Sequence, residues 1–476
     1  MSARGRARWA CLGLALFLGL TAGPGRSAPP PYQRPAGVAE EREPLVTAGY
    51  RALFTCSAHF LMGRPLDDIL RVELVDVADP AYPPPVIDLA RRLVIARDPS
   101  GRIERVAAYR DAMGCTVLPP HWGVGDAPRL PYVPRDAPPD LTRVPFPAGD
   151  RTGLPVDGLD PAYGVLAPLL SRAFDGQSYG ESPGVVTTAV LVLHRGRLVA
   201  ERYRPGFGVH AGYRTWSTAK SLTAALVGIA AGQGLIDLAE PVPVPEWGWP
   251  GDPRQRITWR HLLWMSSGLV SGGANTNALY FGGQDVVSSA TANALEAEPG
   301  TRWKYANNDT LLLLRALRHV LADDLRYLRF PYDELFTPLG MHHTWMETDH
   351  LGHFVGSSQV YTTARDLARF GLLLAADGVH QGRRLLPEGW VRFLATAAPT
   401  RPPADGQWGY GAQFWLLDRM PGVPAGTFTT AGNKGQYVTV VPGRDLVVVR
   451  TGVDPEGRRF QQHRLVADVA TALAGR

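Results

Sequence analysis

Strand-like sequence sits in two blocks at opposite ends of a long region of this chain, and that separation limits the folds open to it. VVTTAVLVLHRGRLVAERY, residues 185–203, is two β-branched, apolar runs joined by HRG, the pattern of a hairpin. YGAQFWLL, GQYVTVVP and DLVVVRTG supply further strands between residues 410 and 452, and a helix is expected after them. The stretch between the blocks reads mainly as helical segments and loops. It opens with STAKSLTAALVGIAAGQGLIDL, a helix with a serine at its start and Gly232 and Gly234 at its end. A sheet built from such a chain must take strands from both ends of one domain. The middle is then a largely helical insertion packed against it, and the expected class is α/β in the α+β sense.

The rest of the chain is organised around that domain. Residues 1–28 read as an export signal: Arg4, Arg6 and Arg8 precede the apolar run 9–23, and small residues offer cleavage near Ala28. The run is short for a membrane span, which favours a periplasmic or secreted protein; the alternative is an uncleaved anchor that keeps it near the membrane. Residues 29–44 form a Pro-rich leader not expected to pack. Residues 45–118 form a small module, with a helical stretch around Cys56 and a hairpin turning at DPSG. Residues 119–158 form a Pro-rich strap, and 159–476 the main domain. Without the signal, two cysteines remain. In an oxidising compartment Cys56 and Cys115 are most simply one disulfide, the alternative being two separate buried thiols.

Charge narrows the partners and points to the chemistry. The net charge is +5 over 476 residues, scattered without basic runs, so nucleic acid is a poor partner. Lysine occurs only at 220, 304 and 434, against 46 arginines. Lys220 follows Ser217 by three residues, so a helix places the two on one face. A serine hydroxyl needs a base to become a nucleophile. Lysine can serve when burial lowers its pKa, whereas arginine stays protonated. The helix start also favours negative charge developing at the serine. Lys304 precedes Tyr305 in RWKYANN, and Lys434 lies in TAGNKGQY before a strand.

Ser217-x-x-Lys220, then Tyr305-x-Asn307, then a Gly-containing turn into a C-terminal strand resembles the serine β-lactamase and penicillin-binding protein superfamily. The Y-x-N form is similar to class C β-lactamases, family VIII esterases, D-alanyl-D-alanine peptidases and 6-aminohexanoate-dimer hydrolases. ITWRHLLWMSSGL, EPGTRWKYANNDTLLL, PLGMHHTW and TTARDLARFGLLL extend the likeness over residues 160–476. NKGQ and DHLGHFVGSS lean toward the aminohexanoate-dimer hydrolase branch. The resemblance implies a β-lactamase/transpeptidase-like fold, Ser217 as acylating nucleophile and Lys220 as its proton acceptor. It implies Tyr305 as the group that shuttles the proton, its phenol eased by the neighbouring ammonium, and Asn307 as the group that orients Lys220 or substrate. Oxyanion donors would be the Ser217 N–H and one N–H after Gly435.

The third motif departs from the family's Lys-Thr-Gly or His-x-Gly. With Gly435 as its glycine, Asn433 leads, Lys434 is in the middle and the oxyanion N–H belongs to Gln436. A shift of one residue would put Lys434 first. The departure leaves open whether a substrate carboxylate is recognised, and with it β-lactam hydrolysis. Trp303, Trp247 and Trp249 are candidates for apolar walls. GQSYG, Gly176–Gly180, matches a nucleophile elbow but has helix before and strand after, so it reads as a turn. HHTWMETDHLGH offers His342, His343, Asp349, His350 and His353, in an apparent loop without H-E-x-x-H geometry, so no metal is expected. The expectation is an exported serine hydrolase acting on a small-molecule or peptide-like amide or ester through an acyl-enzyme, with no cofactor. The alternatives are a non-catalytic binding protein on the same scaffold and, on the histidine loop alone, a zinc hydrolase.

Overall fold

The computed structural model describes residues 38–77, 79–152, 159–271 and 275–475, with side chains from residue 43 onward and without those of 275 and 276. The export signal lies outside the described residues. Among those described, no helix is long and apolar enough to cross a membrane.

The two blocks of strands do form one sheet. Its seven antiparallel strands run in the order Gly409–Tyr410, Trp415–Leu416, Phe428–Thr429, Tyr437–Val441, Leu446–Gly452, Thr187–His194, Arg197–Tyr203. The last strand in sequence therefore pairs with the first, Val448 opposite Val192. Strand alternation sends Ala189, Leu191, Leu193, Val447 and Val449 to one face, under the helix Ala364–Ala375. Val190, Val192, Leu446 and Val448 go to the other, under Ala167–Phe174 and Gln462–Ala472. Both faces are buried, which is why these strands are apolar almost throughout.

YGAQFWLL is not one strand. Gln413 adopts a left-handed φ of 62°, and its amide donates to the carbonyls of Leu262 and Leu263, so the chain folds back into two short strands. The insertion between the blocks is mostly helical, as expected. It also contributes a small sheet in which Val360–Thr363 pairs with Gly212–Arg214 and Trp345–Met346.

Residues 45–118 are not a detached module. Helix Val38–Phe60, which starts inside the expected leader, lies across a four-stranded antiparallel sheet running from Val86 to Val117. Its other side shares the main core: Phe54 packs on Trp216 and Phe281, and Tyr50 on Phe281. Buried Glu347 of the main domain accepts from Ser57 Oγ (2.7 Å) and Cys115 N–H (2.8 Å). Cys56 and Cys115 stand with Cα atoms 6.1 Å apart, within disulfide reach. The strap is pinned to the body by Arg369, which donates to the carbonyls of Pro147 and Gly149 and to Asp150.

Candidate active site

Ser217, the candidate nucleophile, stands where a short strand becomes a helix. Gly212–Arg214 delivers the chain, Trp216 turns it with a left-handed φ of 49°, and helix Thr218–Gly232 begins at once. Ser217 occupies the N-cap position, yet its side chain makes no capping hydrogen bond, so Oγ is left to Lys220. The helix start is held against the C-terminal strands: Thr218 Oγ1 donates to Gln436 O (2.9 Å) and shares a hydrogen bond with the Thr430 hydroxyl (3.0 Å). Gly432 lies so close to Thr215 O that a Cβ there would collide with it.

Lys220 is 1% exposed, and each of its three protons has an acceptor: Ser217 Oγ (3.1 Å), Asn307 Oδ1 (2.7 Å) and Ser357 O (2.7 Å). Burial brings its pKa down to about 7. When the amine loses a proton toward solvent or substrate, the lone pair replaces an N–H in this fixed tripod. Directed at Ser217 Oγ, it can accept the serine's proton.

Tyr305 is hydrogen-bonded to Ser217 through its hydroxyl, but the expected easing of its phenol is not found. Burial raises its pKa, with the Ser217 hydrogen bond only a smaller opposing influence. The geometry explains this: Lys220 Nζ faces the ring, 5.0 Å from its centroid, while Trp415 and Tyr410 enclose the rest. Tyr305 is therefore a neutral phenol. Asn307 opens helix Asn307–Leu321, so Tyr305 and Asn307 flank its start as Ser217 marks the other.

The third motif is a tight turn, Gly432 to Gln436, ahead of strand Tyr437–Val441. The N–H expected as an oxyanion donor is engaged inside this turn. Gln436 N–H turns back onto Gly432 O (3.2 Å), as does Gly435 N–H (3.2 Å), and the Gln436 side chain is spent on Gly452 O. Among the described residues no backbone hydrogen bond uses the N–H of Ser217 or of Asn433, both at the cavity wall. Gly435 is needed for packing: its φ is 85°, and a Cβ would meet the Arg450 guanidinium, which donates to Gly435 O (2.9 Å) and to both oxygens of Asp454.

These groups open into a cavity of about 750 Å³, continuous through Tyr305, Asn433 and Lys434 with a second of about 660 Å³. Trp408 and Trp415 form the apolar wall of the second; Trp303 instead backs Tyr410 and Trp415, and Trp247 is buried in the core. Tyr50, Asp76 and Val77, from the N-terminal region, line the first cavity. Sequence reasoning missed these three, and also Trp216 and Tyr280, whose hydroxyl bonds Ser357 Oγ (2.8 Å) behind Lys220. None stands in a motif, and only GSS of the DHLGHFVGSS stretch hinted at Ser357. Of the other lysines, Lys304 pairs with Glu296 (2.7 Å) and Lys434 with Asp76.

The two decoys resolve locally. GQSYG is a turn in which Ser178 bonds Asp175. The histidine loop does not gather its own members. Asp349 accepts backbone N–H groups from Val286, Leu351 and His353, and His353 meets Arg318. His343 instead approaches His210 and Asp150, with ligand atoms within 4.8 Å of one another, but Arg369 already donates to that carboxylate.

A family model described as Beta-lactamase matches residues 177–471. A 6-aminohexanoate-dimer hydrolase of Paenarthrobacter ureafaciens is 27% identical over 316 residues, covering 60% of this chain and 79% of that protein. Among solved structures, a family VIII carboxylesterase has a TM-score of 0.53 at 15% identity, covering 67% of this chain and 99% of its own. A hydrolase with promiscuous acyltransferase activity has a TM-score of 0.51 at 19% identity, covering 66% and 100%.

Proposed function

From the premise that this chain belongs to the beta-lactamase family and is a serine hydrolase, we propose that it cleaves a small amide or ester through an acyl-enzyme on Ser217. The observation that carries this reading is the buried contact of Lys220 Nζ with Ser217 Oγ at 3.1 Å, on a lysine whose burial brings its pKa to about 7. A receptor that only bound ligand would gain nothing from an amine kept near neutrality against its serine.

In the proposed reaction neutral Lys220 takes the Ser217 proton as Oγ bonds to the substrate carbonyl carbon. The carbonyl π electrons move to oxygen, where the N–H groups of Ser217 and Asn433 receive the negative charge. The C–N or C–O bond then breaks, and Tyr305 delivers a proton to the leaving amine or alkoxide, replenished from Lys220. Water attacks the acyl carbon in the same way, giving its proton to the base, and Ser217 leaves with a proton restored. Asn307 and Ser357 O hold the amine in line throughout. The relative's name, 6-aminohexanoate-dimer hydrolase, supports including amides in this reading.

We propose further that the protein is exported, that residues 1–28 are removed, and that Cys56 and Cys115 are bonded; the N-terminal sequence of the protein recovered from the periplasmic fraction checks the cleavage. For the chemistry, a fluorophosphonate probe followed by peptide mass spectrometry is expected to give an adduct on Ser217 in the full chain. Ser217→Ala abolishes it, and Lys220→Ala slows it about 100-fold or more. Folded protein that takes no adduct at Ser217 overturns the reading.

A further inference from the structure

The N-terminal region lies outside the family match, yet it closes one side of the catalytic cavity. Asp76 sits on the single 3-10 turn Val75–Val77, and its carboxylate pairs with the Lys434 ammonium from the turn after Gly432. The Lys434 side chain is buried, 6% exposed, while Asp76 stands at the rim with its side chain 21% exposed. Each is also held from behind. Arg51 donates to Val77 O (3.1 Å) and Pro83 O (3.2 Å), fixing the turn that carries Asp76. Lys434 has a left-handed φ of 57°, and its carbonyl accepts from Asp454 N–H (3.3 Å). Of the cavity's other cations, Lys304 is paired with Glu296, Arg458 donates to Ser182 Oγ (2.8 Å), and Arg459 lines both cavities.

An ammonium beside the strand that borders the nucleophile would bind a substrate carboxylate if it were unoccupied. Here it is occupied by the protein's own carboxylate. An incoming anion would have to displace Asp76 and then sit beside it, and like charges placed together in a secluded site repel strongly. We infer that Asp76 is a specificity-determining residue: by holding Lys434 from the N-terminal region, it tunes the Ser217 cavity to amides and esters that carry no carboxylate at that end. The inference rests on the reading of Ser217 as nucleophile.

The test compares two probes that share the reacting ester and differ at the far end, the mono-4-nitrophenyl ester of adipic acid with a free carboxylate and its methyl-capped diester, on the full chain. The wild type is expected to favour the capped ester in kcat/KM by about tenfold or more. Asp76→Asn shifts that ratio about tenfold toward the free acid, mainly through KM, and Asp76→Asn with Lys434→Gln loses the gain. Asp76→Glu keeps the wild-type ratio. Should Asp76→Asn not fold, Lys434→Gln decides instead: it leaves Asp76 unpaired and depresses the free acid further. A ratio unmoved in active Asp76→Asn, or unmoved in Lys434→Gln where that variant decides, overturns the inference alone. A capped ester left intact by the wild type, or turned over equally by Ser217→Ala, overturns the Ser217 reading and the inference with it.

Discussion

Lys220 is the position at which a change of cation has the sharpest consequence. Arginine serves elsewhere in the interior, as at Arg450, where a planar fork meets two carboxylate oxygens and a carbonyl. At 220 the same fork would stay charged and could not take a proton. Lys220→Arg is therefore expected to lower kcat/KM by about 1000-fold with the fold retained, measured on an ester substrate beside a circular dichroism spectrum. The titration gives a second outcome. The folded-state pKa of Lys220 is lowered to about 7, so the competent neutral amine is lost below that value. The rate should climb through pH 7 and level above it, and a profile flat between pH 5.5 and 8.5 would remove Lys220 as the base. The sign for stability follows from the same shift. The unfolded lysine holds its proton up to its ordinary range, the folded one only to about 7, so this group favours folding increasingly as pH rises from 7 toward 10.5. The serine and the lysine were legible in the sequence because helix geometry alone joins positions three apart. The neutral Tyr305 was not, since its ionisation depends on which side of the ring faces the ammonium.

At the scale of elements, what was legible is what repeats. The alternation of the Thr187–His194 and Leu446–Gly452 strands and the unbroken apolar helix after Ser217 report their own burial. The turn Gly432–Gln436 does not, because its hydrogen bonds run within five residues and leave no apolar period to read; hence the return of the Gln436 N–H onto Gly432 O was not foreseen. The docking of the N-terminal region was hidden for another reason: its polar key, Glu347, is an ordinary glutamate in sequence. Buried between Ser57 and the Cys115 N–H, its carboxyl is raised to about 7 by desolvation. A raised carboxyl holds a proton in the folded state that the unfolded chain releases near its ordinary value of 4.5, so this site costs stability increasingly as pH rises from 4.5 to 7. Glu347→Gln keeps the shape and removes that cost. The melting temperature of the variant relative to wild type should therefore increase by about 3 °C or more between pH 5 and pH 8, read by calorimetry. A constant difference across that range would show that the wild-type carboxyl does not titrate there.

Across the whole molecule, the boundary expected at residue 118 is a boundary in sequence but not in the core. Tyr50, Leu53 and Phe54 belong to the same apolar cluster as Leu222 and Leu226 of the nucleophile helix. The Arg214 guanidinium lies 4.5 Å from the Phe54 ring centroid and 4.6 Å from that of Trp216, directly before Ser217. Removing the N-terminal region would strip those rings of their cover and expose a broad apolar face next to Ser217. It would also take from Glu347 its donors and from Lys434 its partner Asp76. A fragment beginning at residue 159 is accordingly expected to aggregate, or to remain unlabelled by a fluorophosphonate, where the full chain is monodisperse and labelled. Losing only the proposed cross-link would be a milder insult. With Cys56 and Cys115 separated by 59 positions in sequence, Cys56→Ser with Cys115→Ser should cost about 4 kcal/mol on the loop-entropy model and leave labelling of Ser217 intact at 25 °C. The two results together separate covalent restraint from shared packing. A soluble fragment that labels at Ser217 at the full-chain rate would mean that the main domain can close its own core, and that the N-terminal region acts on the cavity alone.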